Sequence, residues 1–221
     1  MRKLLFLAAV LASTAASAQF NDAGRFHASL GGAAGFHATT YYQKRSYTFF
    51  GQTINVDTTT RDGAVSLTLP IELDFGLVKF MSLGLYIEPG SYLDSSATES
   101  NSIVLAGIQP KFYLLNKDRF ALLTALQLGA AALHIVRDED GKVNDSDARY
   151  LGLHWGLGLG LAVGFGRHFG MRFMTRYVGT SMPLRAAEVN GSSVDLDDFE
   201  AKLSTGGVLI QLSLCARVGG D

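Results

Sequence analysis

Charged side chains recur at alternate positions inside otherwise apolar stretches of the 221-residue chain. Three are acidic and three are basic: Glu72, Asp74, Glu88, Lys111, Arg172 and Arg176. If these stretches are strands, positions two residues apart project to the same face. Ionised groups that leave water need an oppositely charged partner. We therefore expect an internal ion-pair network, and a polar path for a small solute or ions is the alternative.

Histidine, serine and aspartate side chains are the candidates for nucleophilic chemistry. They are His37, His154, Asp145, Ser146, Asp147 and Ser181. A catalytic serine needs a histidine within hydrogen-bond reach and a third group that orients the histidine. No spacing in this sequence establishes such a set. We predict that the protein is not an enzyme, and that His37 and His154 are polar residues of the interior or its rim.

Metal and cofactor motifs are absent from the sequence, which has no HExxH, no glycine-rich phosphate loop and no Cys/His set. Two acidic clusters, Asp138–Asp140 and Asp195–Asp198, could attract calcium, but neither has the spacing of a calcium loop. We predict no metal site and no cofactor, and interpret the clusters as solvated loop charge. Lys and Arg total 19 against 20 Asp and Glu, which argues against a nucleic-acid partner.

The stretch Tyr150–Phe165 has the clearest pattern of the elements that must position these groups. Its odd positions from Leu151 are large and apolar, and its even positions from Gly152 are Gly, His or Ala. This period of two predicts a strand with one face of large apolar side chains and one face of small or polar side chains. A helix would spread the glycines around its surface, at about 0.8–1 kcal/mol each.

Seven further stretches alternate in the same way. They are Phe26–Ala38, Ala64–Leu77, Met81–Glu88, Ile103–Leu115, Phe120–Val136, Gly170–Gly179 and Lys202–Val218. The pattern of Phe120–Val136 is blurred, so a helix is the alternative there. We predict eight strands, in preference to ten, in one all-β domain.

The connections between these strands alternate between long and short. Long polar segments are predicted at Thr39–Asp62, Ser91–Ser102, Arg137–Arg149 and Thr180–Ala201, and short turns lie between them. In the first of these, Ser46–Phe50 and Thr53–Asp57 flank Gly51-Gln52, so a hairpin that extends the first two strands beyond the wall is the alternative to a loop. Such asymmetry is typical of outer-membrane barrels, whose periplasmic turns are short and whose external loops are long. The fold class predicted is a closed antiparallel up-and-down transmembrane β-barrel with its leucine-rich face in lipid.

Aromatic residues sort between the two ends of the predicted strands, as two interfacial belts would require. Near the short turns are Phe75, Phe80, Phe112, Phe120, Phe165 and Phe169. Near the long loops are Tyr41, Tyr42, Tyr92, Tyr150 and Tyr177.

The first residues have the features of a secretory signal. Arg2 and Lys3 precede a short apolar run, and Ala16-Ser17-Ala18 is a small-x-small cleavage site. We predict a cleaved signal peptide over residues 1–18 and a barrel domain over residues 19–221. The single cysteine, Cys215, allows no internal disulfide, and we expect its thiol to be packed and unreactive.

Several of these segments resemble a known family. They are the leader ending Ala-Ser-Ala-Gln, the Leu-Pro-Ile-Glu-Leu run at Leu69–Leu73, and the glycine-alternating strand Leu157–Phe165 followed by Arg-His-Phe-Gly-Met-Arg-Phe. Together they resemble small eight-stranded bacterial outer-membrane β-barrels, the outer membrane protein β-barrel domain group that includes opacity-like, OmpX-like and PorT-like proteins. The resemblance implies a Gram-negative outer-membrane location. It also implies contact with membrane lipid, lipopolysaccharide and the barrel-insertion machinery.

Four functions are compatible with such a chain. The first is a structural or interaction protein with a lumen plugged by ion pairs, whose long loops meet an extracellular or envelope protein partner. We expect its interaction surface at Tyr41, Tyr42, Tyr47, Phe49 and Phe50. The alternatives are a channel for small solutes or hydrophobic compounds, a soluble periplasmic barrel that binds an apolar ligand with its leucine face inward, and, least favoured, a lipid-modifying enzyme at the rim.

Overall fold

The structure is a computed structural model that describes residues 19–49, 52–94, 101–137, 146–196 and 199–219. Its elements are ten strands: β1 (Phe26–Phe49), β2 (Gln52–Thr68), β3 (Ile71–Val78), β4 (Met81–Asp94), β5 (Asn101–Asn116), β6 (Phe120–Arg137), β7 (Ser146–Gly164), β8 (Phe169–Val189), β9 (Ser192–Ser193) and β10 (Phe199–Val218). In the described ranges no helix is long and apolar enough to cross a membrane. The predicted signal peptide, Asp138–Asp140 and Asp145 lie outside these ranges.

Antiparallel pairing closes the strands into a ring. Each wall strand pairs with its sequence neighbours, and β10 pairs with both β8 and β1, where Phe26 lies opposite Val218. The strands β2 and β3 form a single wall strand, because β1 and β4 each pair with both of them. The short β9 only extends β8. The wall therefore has eight strands, and the predicted antiparallel up-and-down barrel is confirmed.

The interruption between β2 and β3 falls at Leu69 and Pro70. Proline has no amide hydrogen to donate to a sheet ladder, so an interior strand position is disfavoured for it. The neighbouring chains still bond to the break, because the Gly31 amide donates to the Pro70 carbonyl at 3.0 Å and the Leu69 amide donates to the Pro89 carbonyl at 2.8 Å. The wall is thus continuous across the proline.

The leucine-rich faces point away from the barrel axis. Leu157, Leu159 and Leu161 on β7 are 52%, 61% and 42% exposed, and the alternating Gly158 and Gly160 are buried. This arrangement excludes the alternative of a barrel whose leucine face turns inward. An uncharged belt of this kind fits a hydrocarbon surrounding.

Phe120–Val136 is a strand, β6, so the helix alternative is wrong there. Its alternation is blurred because both of its faces are apolar. Ala121, Leu123 and Ala125 point inward and are buried, while Leu126 and Leu128 are exposed on the outside.

Two of the segments predicted as long connections form strands, and for the first of them the hairpin alternative is correct. The segment Thr39–Asp62 continues β1 and β2, whose pairing reaches Phe49 opposite Gln52. Most of Thr180–Ala201 continues β8 and begins β10. Neither segment has a continuous apolar alternation in the sequence, although the hydrogen-bond ladder continues through both. Paired ribbons therefore extend the barrel wall at one of its two ends.

The predicted tyrosine belt is only partly correct. Tyr92 and Tyr150 are buried and Tyr41 is partly buried, packed with an apolar cluster inside the barrel. They lie on the inward face because their positions have the same parity as the other inward residues of their strands. The outward aromatics at this end include Trp155 and Tyr177, whose rings lie 5.7 Å apart. At the opposite end Phe75, Phe80, Phe120, Phe165 and Phe169 are exposed.

Candidate functional site: the interior ion pairs and the outer mouth

The centre of the barrel holds a cluster of four ionised side chains. Lys111 on β5 places Nζ 2.5 Å from Glu72 Oε2 and 2.7 Å from Asp74 Oδ2 on β3. Arg172 on β8 contacts the same two carboxylates, at 2.6 Å and 3.3 Å. All four side chains are at most 1% exposed. Two cations and two anions thus neutralise one another across the lumen.

A second ion pair lies one layer closer to the end of the barrel that carries the paired ribbons, which we call the outer end. Arg176 on β8 donates two hydrogen bonds to the Glu88 carboxylate on β4, both at 2.8 Å. It donates a third to Gln127 Oε1 at 3.0 Å, and the Thr68 hydroxyl donates to Glu88 Oε1 at 2.6 Å. The structure thus brings together all six charged residues that the sequence placed on inward faces.

Glycines on the strand next to β8 make room for the long side chains of β8. A Cβ at Gly158 would lie 2.8 Å from Arg176 Cγ, and a Cβ at Gly160 would lie 2.7 Å from Met174 Cγ. On β4, a Cβ at Gly84 would lie 2.1 Å from Asp74 Oδ1. The glycine-rich face of β7 therefore has a packing role, because it leaves space for side chains of β8 that lie flat across the wall.

Two glutamines complete the network, and their pairing with the charged side chains was missed by the sequence reasoning. Gln211 on β10 donates to Glu72 Oε1 at 2.7 Å and to the Ser213 hydroxyl at 2.7 Å. Gln127 accepts from Arg176. Their inward parity was readable from the sequence, but the strand register that pairs them was not.

The segment before β1 closes the end of the barrel that carries the short turns. Phe20 is fully buried, and its ring centroid lies 4.6 Å from the Arg217 guanidinium carbon. The Asn21 amide group donates to the Val78 carbonyl at 2.9 Å, and the Asn21 backbone amide donates to Asn116 Oδ1 at 3.0 Å. The segment therefore ties together the β3–β4 and β5–β6 turns beneath the ion pairs. The sequence carries no signal for this cap.

An apolar layer separates the ion pairs from the other end. It includes Tyr92, Leu133, Met182 and Leu203, which are at most 1% exposed. At its edge the Tyr41 hydroxyl donates to Asp94 Oδ2 at 2.5 Å. The described side chains of this layer, like those of the ion pairs beneath it, are buried inside the barrel.

Above this layer lies a cavity of about 540 Å³, open at the outer mouth. Its apolar lining consists mainly of Tyr41, Tyr47, Ile135, Tyr150, Leu184, Val189, Val194 and Phe199. Arg45 is the only charged side chain among its described lining residues, and its guanidinium carbon lies 5.4 Å from the centroid of the Phe199 ring.

Two candidates for catalysis, His154 and Ser146, lie apart from one another. His154 is buried beside Tyr86, with ring centroids 6.0 Å apart, whereas Ser146 lines the mouth cavity. His37 Nε2 lies 2.7 Å from the hydroxyl of Ser66, a serine that was not among the candidates. This contact has the geometry of a nucleophile and a base, but Ser66 is buried and the other ring nitrogen faces Thr205 at 3.5 Å instead of a carboxylate. The arrangement supports no acyl transfer.

Asp147 lies on the outward extension of β7, beyond the lipid-facing band. Its carboxylate is 2.8 Å from His134 Nε2 and 3.5 Å from Arg149 Nη2. The hydrogen bond from His134, followed by the one from Arg149, holds the pKa of the Asp147 carboxyl below its usual value. Among the described residues no group of three or more His, Cys, Asp or Glu side chains could hold a metal ion.

The three described residues of the predicted loop interaction surface divide between two faces of the β1 extension. Tyr41 and Tyr47 lie on the inward face and line the mouth cavity, whereas Tyr42 is on the opposite, outer face. The side chain of Phe49 and all of Phe50 lie outside the described part of the structure. The predicted surface is thus wrong as a single patch, because a paired strand sends successive side chains to opposite faces.

Solved outer-membrane proteins have a similar fold. The outer membrane protein OprG of Pseudomonas aeruginosa matches with a TM-score of 0.53 and 11% identity, over 90% of this chain and 98% of that chain. The N-terminal barrel of Pseudomonas aeruginosa OprF (TM-score 0.41, 10% identity, 83% and 97% covered) and Neisserial surface protein A (0.42, 10%, 80% and 97%) match less well. No family model and no curated protein sequence matches the chain. The strands close into a ring, the leucines point outward, and the fold is similar to that of OprG. Together these observations show that the chain has the fold of a small outer-membrane β-barrel.

Proposed function

We propose that the protein is an integral barrel of a Gram-negative outer membrane, exported by a cleaved signal peptide, with a closed lumen and a structural or interaction role. Its partners are membrane lipid and lipopolysaccharide along the wall, the insertion machinery during assembly, and an extracellular or envelope protein at its outward ribbons. The proposal rests chiefly on one observation: six charged side chains on β3, β4, β5 and β8 are paired inside the barrel without exposure to solvent.

The closure argument is geometric. An eight-stranded barrel is only just wide enough to be filled by side chains. Here Phe20 caps one end of the ion pairs and the layer around Leu133 and Leu203 covers the other. A solute passing through would have to separate buried ion pairs. Each charge left without its partner in the dry interior would cost several kcal/mol. A closed lumen leaves the ribbons beyond the wall as the surface available to partners.

The closed lumen is tested by conductance in planar bilayers. The purified protein is expected to give no steady channels, while a general porin reconstituted in the same lipid gives its usual openings. Steady openings of a defined size from the wild-type protein would overturn the closed lumen in favour of a small-solute channel.

The location and orientation are tested with single cysteines. Cys215 is buried, so the wild-type protein gives little background with a membrane-impermeant maleimide. Asn190→Cys places a thiol at the exposed β8–β9 turn, and Asp118→Cys places one at the exposed β5–β6 turn at the other end. We expect intact cells to label the first variant and to label the second only after the outer membrane is permeabilised. Equal labelling of both variants in intact cells contradicts the proposed topology.

A further inference from the structure

The mouth cavity has the size and enclosure of a binding site. Its volume of about 540 Å³ lies within the roughly 300–1,000 Å³ range of small-molecule pockets. Its lower side is closed, because Ile135 and Tyr150 belong to the same buried apolar cluster as Leu133 and Leu203. Its walls come from the extensions of β1, β7, β8 and β10, beyond the lipid-facing band. A ligand would therefore enter from the external solution.

The lining indicates the chemistry of the ligand. Aromatic and aliphatic side chains dominate it, and the uncharged polar side chains are Gln43, Ser46 and Ser146. Arg45 alone brings a charge among the described lining residues, and no acidic residue lines the cavity there. None of the ion pairs formed by the described residues involves Arg45. Its guanidinium lies near Phe199, so its apolar stem follows the wall and its charge is available to a ligand.

From these contacts we propose that the outer mouth binds a small anionic amphiphile, a medium-chain carboxylate. Its acyl chain packs between Ile135, Leu184 and Phe199, and its carboxylate pairs with Arg45. A planar guanidinium suits this role because it presents two parallel donors to a carboxylate. The site does not depend on whether the lumen conducts, since the apolar layer lies below it.

The test uses the full-length protein in lipid nanodiscs and radiolabelled dodecanoate in equilibrium dialysis, with empty nanodiscs as the background. Dodecanol and dodecyltrimethylammonium have the same chain with a neutral or a cationic head. We expect dodecanoate to bind above background and more tightly than either of the other two. Because exposed ion pairs contribute modestly, Arg45→Gln is expected to weaken dodecanoate binding about fivefold and to leave dodecanol binding unchanged.

Two further variants separate the site from general charge and folding effects. Lys44→Gln removes a cation at the adjacent position of β1, whose side chain has the opposite parity, and is expected to leave dodecanoate binding unchanged. Ala187→Trp fills the cavity and is expected to abolish binding of both dodecanoate and dodecanol. Heat-modifiable gel mobility checks that each variant is folded. Dodecanoate binding at the empty-nanodisc level, or equal losses in Arg45→Gln and Lys44→Gln, overturns the proposal.

Discussion

Arg176 and Glu88 face each other across the lumen and join β8 to β4 through two parallel hydrogen bonds of 2.8 Å. The two strands are not neighbours in the wall, so the pair acts as a strut across the barrel interior. Both side chains are at most 1% exposed. Removal of one partner therefore leaves the other as an uncompensated charge in a dry interior.

Glu88→Gln is expected to lower the free energy of unfolding by about 3 kcal/mol, because it leaves the Arg176 charge without its carboxylate. The double variant Glu88→Leu/Arg176→Met should recover most of this loss, since a well-packed apolar pair can replace a buried ion pair. Urea unfolding in lipid vesicles measures both. A double variant less stable than Glu88→Gln would contradict the expectation.

Lys111→Met is expected to destabilise the barrel more than Lys79→Met, which changes an exposed lysine in the β3–β4 turn. Without Lys111 the carboxylates of Glu72 and Asp74 keep only Arg172 as a cationic partner. The expected cost is about 3–5 kcal/mol in the same unfolding measurement. Equal effects of the two substitutions would show that the cluster is not needed for stability.

Gly158→Ala should destabilise the barrel by about 1–3 kcal/mol through overpacking, because its new Cβ would lie 2.8 Å from Arg176 Cγ. Gly63→Ala is the matched control on a strand, since a Cβ there meets nothing within 4 Å. The midpoint of thermal unfolding compares the two variants. A Gly158→Ala protein as stable as Gly63→Ala would mean that Arg176 can shift without cost.

Phe20→Ala should cost about 3 kcal/mol, because it removes a fully buried ring beneath the ion pairs. Phe80→Ala removes an exposed ring from a turn at the same end and should cost less. Protease digestion of the folded protein provides a second measurement, in which only Phe20→Ala is expected to release the first residues of the segment before β1. Resistance equal to that of the wild type would contradict the role of Phe20 as an anchor.

The Asp147 carboxyl supplies a prediction about pH. Its pKa is lowered in the folded protein, so its contribution to stability is present above the unfolded pKa and is lost as the pH falls through the folded value. His134→Gln is expected to raise the titration midpoint of Asp147 toward its usual value. A carboxyl ¹³C titration measures this midpoint, and an unchanged midpoint would contradict the assigned cause.

The alternation of side chains was enough to predict the closed barrel and its inward charges. A period of two assigns each residue to a face, which is why the outward leucines of β7 and the inward Arg172 and Arg176 were readable. Parity was not applied beyond the apolar stretches, so Tyr92 and Tyr150 were assigned to a lipid belt although both lie inside. The extension of β1 and β2 was predicted only as an alternative and that of β8 was missed, because neither segment has a continuous apolar alternation.

Other features depend on register, which a single sequence leaves open. Gln211 meets Glu72, and His37 meets Ser66, only because particular residues lie opposite one another on adjacent strands. The cap formed by Phe20 and Asn21 depends on a segment without secondary structure. The mouth cavity arises where four strand extensions meet, so no single stretch of sequence encodes it.

The pairing of Phe26 with Val218 has a consequence for biogenesis. One hydrogen-bonding edge of the first strand has no partner until the last strand has been synthesised and delivered. Contacts between such distant parts of a chain form slowly, and an unsatisfied strand edge invites association with other polypeptides. The unfolded chain must therefore be kept from self-association until β10 is available to β1, and closure of the ring is the last step of folding.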